Sequence, residues 1–338
     1  MEKKELIRWL KETRPEKLAK LFKQADCARK EQCGDAVHLR GIIEFSNHCR
    51  RDCLYCGLRK SNSKLERYRM PVAEIISTAC AAKRLGIPTV VLQSGEDPAF
   101  GLEKIFRMVK AIKKMGLAVT LSLGELSRQE YRRLKDAGAD RYLLKFETSD
   151  PRLYSQLRPG CRLRQRLVCL KNLRSLGYQV GSGIMAGLPG QSLESIAKDI
   201  ELFKQLDLDM AGIGPFIPNP ETPLAGSVTP DLGLALKAVA LTRLFVPGIH
   251  LPGTTAAGTV DPLGREKALK GGGNVIMPNI TPLKYRKLYR IYPNKICVNE
   301  SAEDCLPCLR RRISSLGRTI ARGKGDSLKP RLIPHRKG

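Results

Sequence analysis

The sequence predicts an α/β protein built as a complete (βα)8 TIM barrel, with an N-terminal helical cap and a C-terminal extension that carries cysteines. Three observations predict it. From Val37 onward, eight short β-rich runs alternate with longer amphipathic stretches, the pattern of repeated βα units. Several helical stretches stop within two residues of a glycine (Gly86, Gly116, Gly138, Gly177), a residue that tolerates the left-handed turn ending a helix. Polar residues gather just after the β-rich runs, where barrel enzymes keep their chemistry. A length of 338 residues is normal for such a barrel around one core.

Taken in order, residues 3–32 read as helix, with Leu6, Leu10, Leu18, Leu21 and Phe22 on one side, so 1–36 form the cap. Residues 37–285 hold the barrel, with strands expected at Val37–Asn47, Thr89–Gly95, Ala118–Gly124, Arg141–Thr148, Gln179–Leu188, Met210–Pro218, Ile249–Gly258 and Asn274–Pro282. The helices between them are expected at Val72–Leu85, Leu102–Met115, Gln129–Ala137, Leu163–Leu176, Leu193–Leu206 and Leu232–Leu244. The last strand is the least regular, being preceded by Gly271–Gly273 and surrounded by prolines. Residues 286–338 form the extension, which ends in a basic tail.

Hydrophobic residues make up 42% of the chain, enough for a globular core, and no apolar run approaches the ~18 residues a membrane span needs. The charged N-terminus lacks the apolar stretch of a secretory signal, so a cytoplasmic location is expected. In a reducing compartment, clustered cysteines point to metal or catalysis rather than disulfides. The net charge of +27 raises nucleic acid as a partner. Much of that excess lies in residues 309–338, with ten Lys/Arg against one acid, and no aromatic follows Tyr292 to stack on bases. A solvated basic extension or an acidic protein partner is therefore preferred to nucleic acid.

The strongest motif follows the first strand. Cys49, Cys53 and Cys56 sit on one tight loop with gaps of three and two residues, followed by Gly57. A [4Fe–4S] cubane is usually held by four cysteines, so three leave one iron open to an exogenous ligand. A structural zinc site would need a fourth ligand, and His48, adjacent to Cys49, points away from such a site. The loop resembles the signature of radical S-adenosylmethionine (SAM) enzymes, in which the open iron binds the amino and carboxylate groups of SAM. One-electron reduction then cleaves SAM to methionine and a 5′-deoxyadenosyl radical.

Candidate cofactor contacts sit at neighbouring strand ends. Glu147 is placed to accept from ribose hydroxyls, or to be an ordinary satisfied acid. Arg166 offers a bidentate contact to a carboxylate, or is a solvated helix arginine beside Arg162 and Arg164. Ser94, Gly95 and Glu96 offer backbone groups to an ammonium, Gly95 permitting close approach, or form a plain turn. Near the C-terminus, Cys297, Cys305 and Cys308 make a second triad, read as a further metal site, with free loop thiols as the alternative. Cys80, Cys161 and Cys169 read as packing residues, and Cys27 and Cys33 receive no role.

Residues from about 40 to 325 resemble the HydE family of [FeFe]-hydrogenase maturases, within the radical SAM group that includes methylornithine synthase and biotin synthase. The resemblance rests on Cys49–Leu58, QSGEDP (Gln93–Pro98), TLSLGE (Thr120–Glu125), Glu147–Pro151, GLPGQ (Gly187–Gln191), IPNPETPL (Ile217–Leu224), Gly273–Pro282, the tyrosines Tyr285, Tyr289 and Tyr292, and the second triad. It implies SAM and its cluster at the top of a complete barrel, above a closed cavity. It implies SAM contacts by Glu147 and Arg166, with Met210, Ile217 and Tyr289 nearby, and a substrate cavity lined by Ser122, Thr254 and Thr255. A second iron–sulfur cluster, [2Fe–2S] or [4Fe–4S], is implied at the second triad. The implied substrate is a small iron–carbonyl–cyanide cysteine complex, or another small thiol-containing molecule, with other hydrogenase maturases and an electron donor as partners. Lys145 departs from the pattern, standing where arginine is expected and losing a bidentate fork.

Biotin synthase is disfavoured because no expected strand offers the spare cysteines for a sacrificial [2Fe–2S] cluster. A methylornithine-synthase-like mutase is the alternative, set apart by the second triad. A radical SAM enzyme acting on tRNA would account for the charge, and a non-catalytic cluster scaffold for the two triads.

Overall fold

The computed structural model describes residues 1–329. The strands in chain order are β1 (Ala36–Leu39), β2 (Gly41–Ser46), β3 (Thr89–Ser94), β4 (Ala118–Ser122), β5 (Arg141–Leu143), β6 (Gln179–Ala186), β7 (Met210–Pro215), β8 (Pro252–Gly253), β9 (Val275–Ile276) and β10 (Thr319–Ile320). β2 to β7 lie side by side in sequence order, every pair parallel. A second parallel sheet runs β10–β1–β9–β8. Single bridges Met210–His250 and Ile42–Asn279 join residues of the first sheet to segments flanking the second. Parallel neighbours require crossovers, and amphipathic helices supply them at Val72–Arg84, Leu102–Lys114, Arg128–Asp136, Leu163–Ser175, Leu193–Gln205 and Leu232–Phe245. Residues such as Val90, Val91, Leu92, Val119 and Leu121 are fully buried, as strands covered on both faces demand.

The helices match their sequence limits within a residue or two, because periodicity and glycine stops are local signals. The strands differ more. The first expected strand is broken at Arg40, giving β1 and β2. The fourth keeps its regular ladder only over Arg141–Leu143, and pairing with β6 resumes as a single bridge between Ile184 and Glu147, which has a left-handed φ of 65°. Beyond Leu143 the chain still follows β6 irregularly: Leu144 N–H donates to Gly181 and Glu147 N–H to Gly183. The seventh, expected to reach Gly258, becomes a helix at Thr255–Val260, capped by Thr254 Oγ1, which accepts from Ala257 N at 3.2 Å. At the N-terminus the expected single helix is two, Lys3–Lys11 and Pro15–Cys33, with Pro15 opening the second. They pack against helices Leu193–Gln205 and Leu232–Phe245.

The basic tail is not a solvated extension over its described part. After helix Ala302–Ser314, β10 pairs with β1, and residues 324–327 cross the N-terminal ends of the strands. Arg141 donates to Lys324 O at 2.9 Å and Asp326 Oδ1 at 2.8 Å, and Arg40 donates to Gly325 O at 3.0 Å. Thr89 Oγ1 donates to Lys324 O, and Ser327 Oγ to Asp209. Buried guanidinium groups need acceptors, and a folded-back tail provides them. Residues 330–338 lie outside the described residues.

Asp199, on helix Leu193–Gln205, accepts from Ser149 N at 2.5 Å and is fully buried, while its Oδ2 has no hydrogen-bond partner. Burial raises its pKa to about 7. An unfolded aspartate titrates near 3.9, so from about pH 4 to 7 the folded state holds a proton the unfolded state has lost, and stability falls as pH rises through this window. In thermal melts, Asp199→Asn should be less pH-dependent over that range and should gain on the native protein toward pH 8, by on the order of 1 kcal/mol or more. Parallel pH profiles would show that this proton is not held.

Candidate active site

The cysteine loop leaves β2 under several restraints. Asn47 accepts from Tyr68 N at 2.8 Å and donates to the carbonyls of Glu66 and Leu288. Arg67 donates to the carbonyls of Asn47, Leu58 and Arg59 at 2.6, 3.0 and 2.7 Å. Within the loop, Leu54 N–H donates to Leu157 O at 2.9 Å and Gly57 N–H to Ile291 O at 3.0 Å. Gly95 abuts it: a β-carbon there would lie 2.3 Å from His48 O and 2.8 Å from Cys49 Cβ, which accounts for glycine at that strand end.

Cys53 is buried, while Cys49 and Cys56 are partly exposed. Burial pushes all three thiols up, and the nearby Arg158 guanidinium pulls each back. No three His, Cys, Asp or Glu side chains among the described residues are grouped to hold a single metal ion. That geometry is no obstacle to a cubane, in which each cysteine binds its own iron and the thiolates stay apart.

Cys56 also borders a cavity of about 310 Å³ between the strand ends. Its wall includes Glu147, Met210, Ile217, Thr254 and Thr255 of the expected residues, together with Gln93, Lys145, Tyr292 and Lys295. Lys145 Nζ stands 3.2 Å from Glu147 Oε2, an ion pair without hydrogen-bonding alignment that leaves this buried oxygen open to a donor. Other expected residues lie outside the wall. Ser122 stands opposite Gln93 in the ladder but, unlike Gln93, is not part of the wall. Tyr289 is buried one layer behind, its hydroxyl 3.4 Å from Gln93 Nε2 and its ring 5.1 Å from Lys295 Nζ.

Ser94 and Glu96 line a separate, more open cavity of about 360 Å³. Glu96 is the centre of an ion cluster, with Arg51 at 2.5 Å, Arg50 at 3.2 Å, Arg166 at 3.6 Å and Arg158 at 4.0 Å. Burial alone would raise its pKa, but Arg166 and Arg51 hold it below the usual carboxylate range. Arg166, read from sequence as solvated or ligand-binding, is buried; its Nε lies 2.9 Å from Glu125 and donates to Tyr154 at 3.2 Å, and its Nη2 has no hydrogen-bond partner.

In the second triad, Cys297 has a left-handed φ of 61° and hydrogen-bonds with Cys305, which lies on helix Ala302–Ser314. The Cys305 contact and Arg265, 3.9 Å away, hold the Cys297 thiol below the usual thiol range. Cys308 is exposed one turn further along.

Three wall and border features escaped the sequence. Arg158 is one. A buried pair of Glu44 and Lys295, with Nζ at 2.7 and 2.8 Å from the two carboxylate oxygens, is another, and Asn279 donates to the same carboxylate. Tyr55 is the third, visible in sequence only as the aromatic before Cys56. Glu44 alternates inward on an expected strand, but nothing in sequence joins it to Lys295, 251 residues away.

Comparisons with known proteins agree with this architecture. The Radical SAM superfamily matches residues 43–203, a span containing the first triad, the Ser94–Glu96 turn and Glu147. The chain is 53% identical to the [FeFe] hydrogenase maturase subunit HydE of Thermotoga maritima over 90% of this chain and 88% of that one. It is 30% identical to 3-methylornithine synthase of Methanosarcina acetivorans over 77% and 74% of the two chains. The crystal structure of methylornithine synthase superposes with a TM-score of 0.84 at 26% identity, covering 95% and 94%. The hydrogenase maturase HydG of Carboxydothermus hydrogenoformans shares the fold, with a TM-score of 0.77 at 20% identity over 91% and 74%. With the cysteine loop, the strand-end residues and this identity over nearly its whole length, the chain belongs to the HydE family of radical SAM [FeFe]-hydrogenase maturases.

Proposed function

We propose that the chain acts in assembling the [FeFe]-hydrogenase active site, through SAM cleavage next to an internal substrate cavity. The observation that carries this reading is that the three-cysteine loop borders, at Cys56, the cavity walled by Glu147, Met210, Ile217, Thr254 and Thr255. The residues suit the family's cofactors. Cys49, Cys53 and Cys56 would hold the [4Fe–4S] cluster, the open Glu147 oxygen would accept from a ribose, and Gly95 allows close approach to the loop. Arg166 Nη2, buried without a hydrogen-bond partner, would meet a carboxylate, with the backbone of Ser94, Gly95 and Glu96 toward an ammonium. Bound together, cluster and SAM supply a one-electron reductive cleavage that yields methionine and a 5′-deoxyadenosyl radical.

Thr254 and Thr255 would orient the substrate, while the apolar wall, including Met185, Met210 and Phe216, excludes water. A volume of about 310 Å³ suits a small molecule, such as an iron–carbonyl–cyanide cysteine complex, rather than a tRNA nucleotide with its flanking chain. HydG, a maturase sharing this fold, is the kind of partner that would supply it. We further assign residues 1–36 as a helical cap, 37–285 as one complete barrel supported by the Met210–His250 and Ile42–Asn279 bridges, and 286–338 as an extension. The second triad would hold a peripheral iron–sulfur cluster. No helix among the described residues is long and apolar enough to cross a membrane.

The test is anaerobic reconstitution with iron and sulfide, then dithionite and SAM, with chromatographic detection of 5′-deoxyadenosine. Product that requires the first triad supports the reading. A fully loaded cluster that yields none overturns it.

A further inference from the structure

Arg158 is a buried cation beside the cysteine loop, and none of the roles above uses it. It is 6% exposed, and its Nη1 donates to Tyr55 OH at 3.3 Å, Tyr55 lying between Cys53 and Cys56. Its guanidinium lies 5.3 Å from the Tyr154 ring centre, and its Nε has no hydrogen-bond partner. The backbone bond from Leu54 to Leu157 ties the middle of the loop to the residue before it. Loop and arginine are therefore held together as one unit.

The charges around the loop do not balance without the cysteines. Arg50, Arg51, Arg158, Arg166 and Lys145 share three carboxylates, Glu96, Glu125 and Glu147. Burying a guanidinium with so little opposite charge is costly. The imbalance closes when the loop carries negative charge of its own, as thiolates binding metal do.

We propose that Arg158 is a positioning residue for the cluster, a fixed positive charge that steadies the anionic loop and raises the potential at which the cluster accepts its electron. The inference rests on the reading of Cys49, Cys53 and Cys56 given above. Net charge and hydrogen bonding near the sulfurs are the protein's means of setting such potentials, and the electron comes from a low-potential reductant such as dithionite.

The test uses anaerobically reconstituted wild type, Arg158→Gln, Arg158→Lys and Tyr55→Phe, each assayed for iron and sulfide, in redox titrations followed by electron paramagnetic resonance without SAM. In Arg158→Gln the reduced-to-oxidised ratio at fixed potential should fall about tenfold, equivalent to about 59 mV for a one-electron couple. Arg158→Lys should recover most of the loss, and Tyr55→Phe, which frees the guanidinium, should show a smaller fall in the same direction. A loaded Arg158→Gln protein with the wild-type potential overturns the proposal. If that variant takes up no cluster, the other two decide: a lowered potential in Tyr55→Phe supports the proposal, and wild-type potentials in both overturn it. A wild type lacking any cysteine-dependent cluster signal sinks the loop assignment and this inference with it.

Discussion

Cys53→Ala is expected to leave a folded protein that forms no detectable 5′-deoxyadenosine. Cys53 is the most buried of the three loop cysteines, and replacing its sulfur by hydrogen costs the fold only about 1 kcal/mol, within the ordinary range of single substitutions. The function depends on it far more steeply. Removing an outer partner of a metal ligand already costs about 10–100-fold, so losing one of three direct ligands should exceed about a hundredfold. Circular dichroism checks the fold, iron and sulfide analysis the cluster, and chromatography the product. Cys305→Ala is the paired control: it should lose only iron bound at the C-terminal helix and keep SAM cleavage. Cleavage retained by Cys53→Ala would refute the assignment of the first triad, and cleavage lost in Cys305→Ala would mean that the catalytic site is the other one.

Gly57→Ala is expected to be among the most destabilising single-methyl additions in the chain. A β-carbon at Gly57 would lie 1.9 Å from Arg290 O and 2.3 Å from Asn219 Nδ2, while its own N–H donates to Ile291 O. A backbone carbonyl cannot swing aside as a side chain does, so the loop must leave residues 290–291, at a cost of about 3 kcal/mol. Because Cys56 is the preceding residue, the displaced loop should also load less iron. A clear fall in melting temperature with reduced iron content is the expected result, against no measurable change for Gly226→Ala, where nothing lies within 4 Å of the added carbon. A Gly57→Ala protein that melts and loads like wild type would mean that the loop is not held where described.

Both predictions begin from a motif that was plain in the sequence, and the contrast with Arg158 explains why. Cys49, Cys53 and Cys56 span eight residues end to end, so spacing alone specifies which groups share a loop. The same holds for Gly86, Gly116, Gly138 and Gly177, each with a left-handed φ just past its helix, where the chemistry of one residue decides the outcome. Strand lengths were less legible because a β-rich run carries no mark of its neighbour's path: β5 loses its regular ladder after Leu143 and meets β6 again only at the Glu147–Ile184 bridge. Arg166 sits among other arginines in an expected helix and Arg158 just before a Pro-Gly turn, both indistinguishable there from solvated residues, yet both are buried.

By itself, then, the sequence determined the α/β class with parallel strands, the helices, the grouping of three cysteines on the first loop and most of the residues that crowd the strand ends. These depend on periodicity, glycine and short-range spacing, which act over a few residues. Tertiary structure alone decided that the tail through Lys329 folds back across the strand starts, that Glu44 meets Lys295, and that five cations surround three carboxylates beside the cysteines. The physical reason is burial: a charge taken from water must find a partner wherever the fold brings one, and that partner can lie at any distance along the chain.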